Sequence, residues 1–205
     1  MARDPFPIKA LAGMEAPDSA SARRAAGMVL LSSEPYLANH AVRTYFWGTF
    51  LATIGGVDHD AERLWVAALF HDIGLVESAP ADDCFESVGA EMAAAFLTDE
   101  GWSHEAVTDV RDAIRLHMAI ELPANASATA RLLDAALSLD VSGRRYDELP
   151  ADVRQAVLER FPRLDFKRRF GDRLREVALE RPGCTTATLL KQGLAERIAH
   201  APWGD

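Results

Sequence analysis

The chain of 205 residues is 49% hydrophobic and 26% charged, the balance of a soluble globular protein long enough to bury one substantial core. A formal net charge of -9 argues against a general nucleic-acid binder, and no apolar run approaches the roughly 20 residues of a membrane span. No basic stretch leads into an apolar one near the N-terminus, so no export signal is expected. Cys84 and Cys184, with no C-x-x-C pair, suggest no disulfide framework and a reduced, cytoplasmic setting.

Residues 1–18 hold Pro5, Pro7, Gly13 and Pro17 and read as an irregular lead-in. Residues 19–33 predict a short helix ended by Ser32, Ser33, Glu34 and Pro35, and 36–54 are periodic until Gly55 and Gly56 stop them. Residues 60–72 form a short, almost wholly apolar helix, which suggests a central position. Phe85, Val88, Met92 and Phe96 recur at helical spacing over 85–97. Ser103 is an N-cap for a helix through Met118, with Glu105 in its first turn, and Pro123 closes that stretch. Residues 128–141 predict another helix, followed by Ser142 and Gly143. Pro150 opens one more, Pro162 ends it, and two or three helices finish the chain near His200. No sustained period-2 alternation and no Asn-Gly or Asp-Gly turn occurs, so the predicted architecture is all-α. The expected layout is a helical core over residues 19–145 with the helices of 146–200 packed on it.

Polar residues sit where this pattern expects apolar ones. His71 and Asp72 end the apolar run 64–70, and an unpaired buried carboxylate is costly enough that it is normally neutralised, hydrogen-bonded or placed on a cation. His40 falls on the inward row with Leu37, Thr44, Trp47 and Leu51; His117 follows Val107, Val110 and Ile114; Asp140 follows Leu133, Ala136 and Leu137. Asp140 also opposes the macrodipole at the end of its helix. Each has a bland explanation as a hydrogen-bonded core residue, but two His and two Asp that can converge form a mixed nitrogen–oxygen set suited to Zn, Mn, Fe or Ni.

The order His40, His71-Asp72, Asp140 on consecutive helices resembles the HD-domain superfamily of metal-dependent hydrolases, whose ligand pattern is H…HD…D. The segments Asn39-His40-Ala41-Val42-Arg43, Ala67-Ala68-Leu69-Phe70-His71-Asp72-Ile73-Gly74 and Phe85-Glu86-Ser87-Val88-Gly89-Ala90 are similar to the cyanamide hydratase-like branch. So are Asp112-Ala113-Ile114-Arg115-Leu116-His117 and Arg181-Pro182-Gly183-Cys184-Thr185-Thr186. His117-Met118 departs from the His-Thr pair common in that branch. The resemblance covers roughly residues 30–190 and implies an HD-domain helical bundle with a C-terminal helical extension.

It implies one divalent metal held by His40, His71, Asp72 and Asp140, with zinc favoured by the imidazoles and manganese or iron also accepted. Such an ion lowers the pKa of water from ~15.7 to about 7. Asn39 and Arg43 are the candidates for orienting the ligands, Arg43 also reading as a solvated helix face. His117 and Glu86 are the candidate catalytic proton carriers, with Glu77 a less favoured acid. The implied substrate is a small carbon–nitrogen molecule such as cyanamide or a nitrile. The alternative is an HD-type phosphohydrolase acting on a nucleotide or other phosphoester, which would need Arg or Lys beside the metal. The basic run Arg163, Lys167, Arg168, Arg169, Arg173 and Arg175 reads as a salt-bridged solvated helix because Asp165, Asp172 and Glu176 interleave it. Expected partners are a small-molecule substrate, with no nucleic acid and no membrane. The last apolar stripe and an exposed Trp203 could pack on the domain or on a second copy, making a homo-oligomer.

Overall fold

In the computed structural model, which describes residues 11–76 and 83–204, ten α-helices and no β-strand are found among the described residues. The helices begin where capping chemistry places them. Ser19 accepts from the amide of Ala22 to open α1 (Ala20–Ser32), and Asp60 accepts from Glu62 and Arg63 to open α3 (Ala61–Phe70). Ser103 and Ser127 do the same for α5 (His104–Leu116) and α6 (Ala128–Ser142). Pro35 starts α2 (Pro35–Gly55), where its missing N–H and fixed φ suit the first turn.

The short helix α3 is the hub. Every residue from Leu64 to Phe70 is buried, and α3 packs against α1, α2, α4 (Phe85–Asp99), α5 and α6. This explains its uniformly apolar composition, since a helix surrounded by others has no face left for water. Its C-terminal end delivers His71 and then Asp72, whose backbone (φ -105°, ψ 3°) leaves the helical region to enter a single 3-10 turn, Ile73–Leu75.

Two glycines let α4 press onto that corner. A Cβ on Gly74 would lie 2.2 Å from the Phe85 carbonyl oxygen, and one on Gly89 would lie 2.6 Å from the Phe70 carbonyl oxygen. Both contacts are with backbone, so any side chain would push the helix away.

After α7 (Ala151–Arg160), the chain continues into α8 (Phe166–Glu180), α9 (Thr185–Lys191) and α10 (Leu194–Ala199). Here α8 packs on α2, and α10 packs on α6 and α8. A second apolar cluster joins Tyr36 and Leu37 of α2, Leu75, Phe85, and Phe166, Phe170, Leu174 and Val177 of α8. It lies beside the main core, and the HD corner falls between the two.

Several expectations change. Cys84 and Cys184 are bonded to each other across 100 residues, with their Cα atoms 5.6 Å apart, so the two cysteines do form a disulfide. It ties the residue before α4 to the residue before α9. Trp203 is buried rather than exposed: its indole N–H donates to the Leu139 carbonyl and its ring stacks on Trp47 at 5.6 Å. The basic run pairs with its own helix as expected at Arg168, Arg173 and Arg175, but Arg163 is buried. Glu77 lies outside the described residues. No helix among the described residues is long and apolar enough to cross a membrane.

Candidate metal centre

Three imidazoles meet at the end of α3, and each is held from behind. His71 Nδ1 donates to the Ala68 carbonyl at 2.7 Å, and His117 Nδ1 donates to the Ile114 carbonyl at 2.6 Å. A carbonyl only accepts, so both Nδ1 atoms carry the proton. His40 Nδ1 lies 2.7 Å from Asp140 Oδ2, and an ionised carboxylate also only accepts. In the neutral rings all three Nε2 atoms are therefore bare lone pairs, the arrangement by which outer partners set a metal-ligating tautomer.

Those lone pairs face one another. His71 Nε2 and His40 Nε2 are 3.2 Å apart, and Asp72 Oδ2 lies 3.1 Å from the first and 3.5 Å from the second. His117 Nε2 lies 3.7 Å from Asp72 Oδ1. Asp72 Oδ2 and His117 Nε2 are buried with no hydrogen-bond partner. Two lone pairs and a carboxylate pressed together out of water repel unless a cation or a proton sits among them. His40, His71 and Asp72 offer donor atoms that all lie within 4.8 Å of one another, so the donor set fits a divalent ion.

The same demand for positive charge appears in the protonation equilibria. Burial opposes charging of His71, yet the Asp72 carboxylate beside it raises its pKa above the ordinary value. Burial would raise Asp72, but His71 first, then His40 and His117, draw it down to about 2. His117, buried and next to His71, is lowered to about 4, and burial likewise lowers His40. The carboxylate thus stays ionised and His40 and His117 stay neutral at neutral pH, while His71 takes a proton more readily than a free imidazole, a positive charge whose place a metal ion would take.

Asp140, expected as the fourth ligand, stands outside this donor cluster, and its carboxylate faces protein partners. Arg43 clamps it with Nε at 2.9 Å and the terminal NH2 at 2.8 Å, Trp47 donates to Oδ1 at 2.7 Å, and His40 takes Oδ2. Arg163 adds an N···O distance of 3.5 Å to Oδ2 and a hydrogen bond to the Asp140 carbonyl. Burial would raise the Asp140 carboxyl, but Arg43 and Arg163 hold it well below the usual carboxylate range. Both of its oxygens are hydrogen-bonded, and one of those bonds fixes the His40 ring.

Arg43, expected as an orienting residue or a solvated one, is fully buried and acts on Asp140. Asn39 does neither: it donates to the Pro162 carbonyl at 2.8 Å, tying α2 to the turn before α8. Glu86 is buried in the first turn of α4, where burial raises its pKa and its Oε2 has no hydrogen-bond partner. Glu86 is not among the residues that line the cavity described next.

The imidazoles and Asp72 open into a cavity of about 660 Å³. Residues from α6 and the loop before it form one side, and α8, α9 and α10 supply Phe170, Leu174, Leu189 and Leu194 on the other. Phe166 and Phe170 also pack on the His40 ring, with centroids at 4.6 and 5.5 Å. Nothing in the sequence had pointed to α8 as a wall of the site, since its apolar residues read as ordinary amphipathic spacing.

An interior His₂Asp cluster at the end of a central helix, with a third imidazole alongside, could hold a divalent metal in the manner of an HD domain. The chain matches the HD domain over residues 37–161, more than half its length, and belongs to that family. No curated protein matches the chain. Family membership implies a metal-dependent hydrolase-type activity.

Proposed function

We propose that this protein hydrates or hydrolyses a small carbon–nitrogen substrate, of the cyanamide or nitrile kind, at a divalent ion held by His40, His71 and Asp72. His117 is proposed as a further donor to the ion, because its Nε2 lies beside Asp72 with no hydrogen-bond partner. When bound, the ion supplies Lewis acidity and makes water acidic enough to react at neutral pH. In the net reaction a C–O bond forms at the nitrile carbon, the C≡N π bonds give way to an amide, and two protons arrive on nitrogen. Cyanamide would yield urea.

The observation that carries this reading over the phosphoester one is the disposition of the arginines. A transferring phosphoryl group needs cations beside the metal. Arg43 and Arg163 both close on Asp140, behind His40, and Arg111 and Arg115 pair with Asp112 and Glu91. The basic residues that line the cavity, Arg144 and Arg197, are solvent-exposed, whereas the ligand cluster is buried. Similarity of the segments around His40, His71, Glu86 and Arg181 to the cyanamide hydratase-like branch supports the same choice.

The test is to load the purified protein with zinc, manganese or iron and to assay cyanamide, small nitriles and nucleoside monophosphates in parallel. Urea or amide release that disappears in His71→Ala, together with the metal, is the expected result. Turnover of nucleotides with cyanamide and nitriles inert would overturn the reading in favour of a phosphohydrolase.

A further inference from the structure

The cavity is far larger than cyanamide needs. A molecule of three heavy atoms would leave most of about 660 Å³ empty, whereas pockets of roughly 300–1,000 Å³ enclose drug-sized ligands. Its lining also changes character with depth. The metal-type cluster is buried, and the charged residues Glu121, Arg144 and Arg197 are exposed at the rim, where opposite charges offset one another and Arg197 already donates to the Gln192 carbonyl. Between floor and rim the side built by α8, α9 and α10 is apolar, with Phe170 and Leu174 buried and Leu189 and Leu194 half-buried, while α6 adds the half-buried Asp134 and Ser138. The four apolar residues come from α8, α9 and α10, which lie beyond the residues matched by the HD domain.

Resting on the metal-site reading above, we infer that the substrate is a neutral molecule with a compact polar head and an apolar body, and that the C-terminal helices select it through Leu174, Leu189 and Leu194. An apolar wall of this kind favours hydrocarbon and makes burying a charged body costly. Free cyanamide is then a poor, undersized substrate, and alkyl or aryl nitriles, cyanamides or amides are the better class. The disulfide from Cys84 to Cys184 holds the start of α9 against the start of α4, so this wall is fastened to the side of the site that carries Phe85.

Calorimetric titration of the zinc-loaded full chain with butanamide, hexanamide, octanamide and hexyl phosphate tests this without any turnover. Affinity is expected to rise about three- to fourfold per methylene, the factor for burying a CH₂ group, with hexyl phosphate weaker than hexanamide. Leu189→Asn and Leu194→Asn, at half-buried positions, should each flatten the gradient to less than twofold per methylene while leaving the zinc content unchanged. Leu194→Trp should truncate it at the longest amide. Affinity independent of chain length, tighter binding of hexyl phosphate, or a gradient untouched by these variants would overturn the inference. A gradient that stands while cyanamide and nitriles are not turned over would sink the proposed chemistry alone. Turnover of nitriles with no gradient would sink only the selecting wall.

Discussion

Two carboxylates lie within reach of His40, and they are in opposite electrostatic conditions. Asp140 is closed: Arg43, Trp47 and the His40 ring account for its oxygens, and Arg163 stands behind. Asp72 is open: it faces three titratable imidazoles and no fixed donor such as a guanidinium or an indole, and Oδ2 has no hydrogen-bond partner. The difference teaches what an inward carboxylate is for. A buried acid whose partners are fixed cations and donors is structural, and one that faces only titratable rings has room for a cation.

Removing the two carboxylates should therefore have opposite consequences. Asp140→Ala leaves the fully buried Arg43 guanidinium without its counter-ion, and breaking a buried pair in this way costs about 3–5 kcal/mol. Denaturant unfolding should show a loss of that size even in protein stripped of metal. Asp72→Ala leaves no buried guanidinium unpaired, so it should destabilise the stripped protein far less than Asp140→Ala while abolishing metal uptake, read by elemental analysis. Equal destabilisation by both variants would erase the distinction.

The two sides are also fastened differently. Ion pairs lock the Asp140 side, while close backbone packing and the disulfide hold the Asp72 side. Replacing Cys84 and Cys184 by serine opens a loop of about 100 residues and should lower stability by about 2–4 kcal/mol, checked by the same unfolding curves. Gly74→Ala forces its Cβ toward the Phe85 carbonyl and should cost about 1–3 kcal/mol, with α4 displaced and metal affinity reduced. A fully stable Gly74→Ala protein would mean that α4 does not press on the HD corner.

Acid should separate the sites most gently. The Asp140 carboxyl lies well below its ordinary 3.8, so its stabilisation is complete above that value and is lost only as pH falls through the depressed one. The metal leaves earlier, as protons compete for the imidazoles, His71 first because its pKa lies above the ordinary value. Titration should thus show metal release, followed by unfolding at distinctly lower pH. A single coincident transition would contradict the separation.

Much of the fold was legible because it is written locally. Ser103 and Asp60 cap helices from a few residues away, and the wholly apolar 64–70 run identifies a surrounded helix without any knowledge of its neighbours. The HD pair and the inward faces of His40 and His117 were readable for the same reason. What failed depended on contacts between distant segments. Periodicity placed Asp140 inward but could not reveal that Arg43, Trp47 and Arg163, from elsewhere in the chain, would claim its oxygens. Arg43 itself looked like a solvated helix residue, since nothing local distinguishes a buried guanidinium from an exposed one. Cys84 and Cys184 carry no motif, and only the folded chain brings them together across 100 residues. The role of α8 against His40 was hidden likewise, because an amphipathic stripe says that a helix packs but not on what.

The central claim is that His40 and His71, with Asp72, hold a divalent ion while Asp140 only orients His40. Anomalous diffraction at the zinc edge from crystals of the zinc-loaded protein tests it directly. One peak bonded to the Nε2 atoms of His40 and His71 and to Asp72, with Asp140 still clamped by Arg43, is the result expected. A peak bonded to Asp140, or no peak at this cluster, would contradict the account.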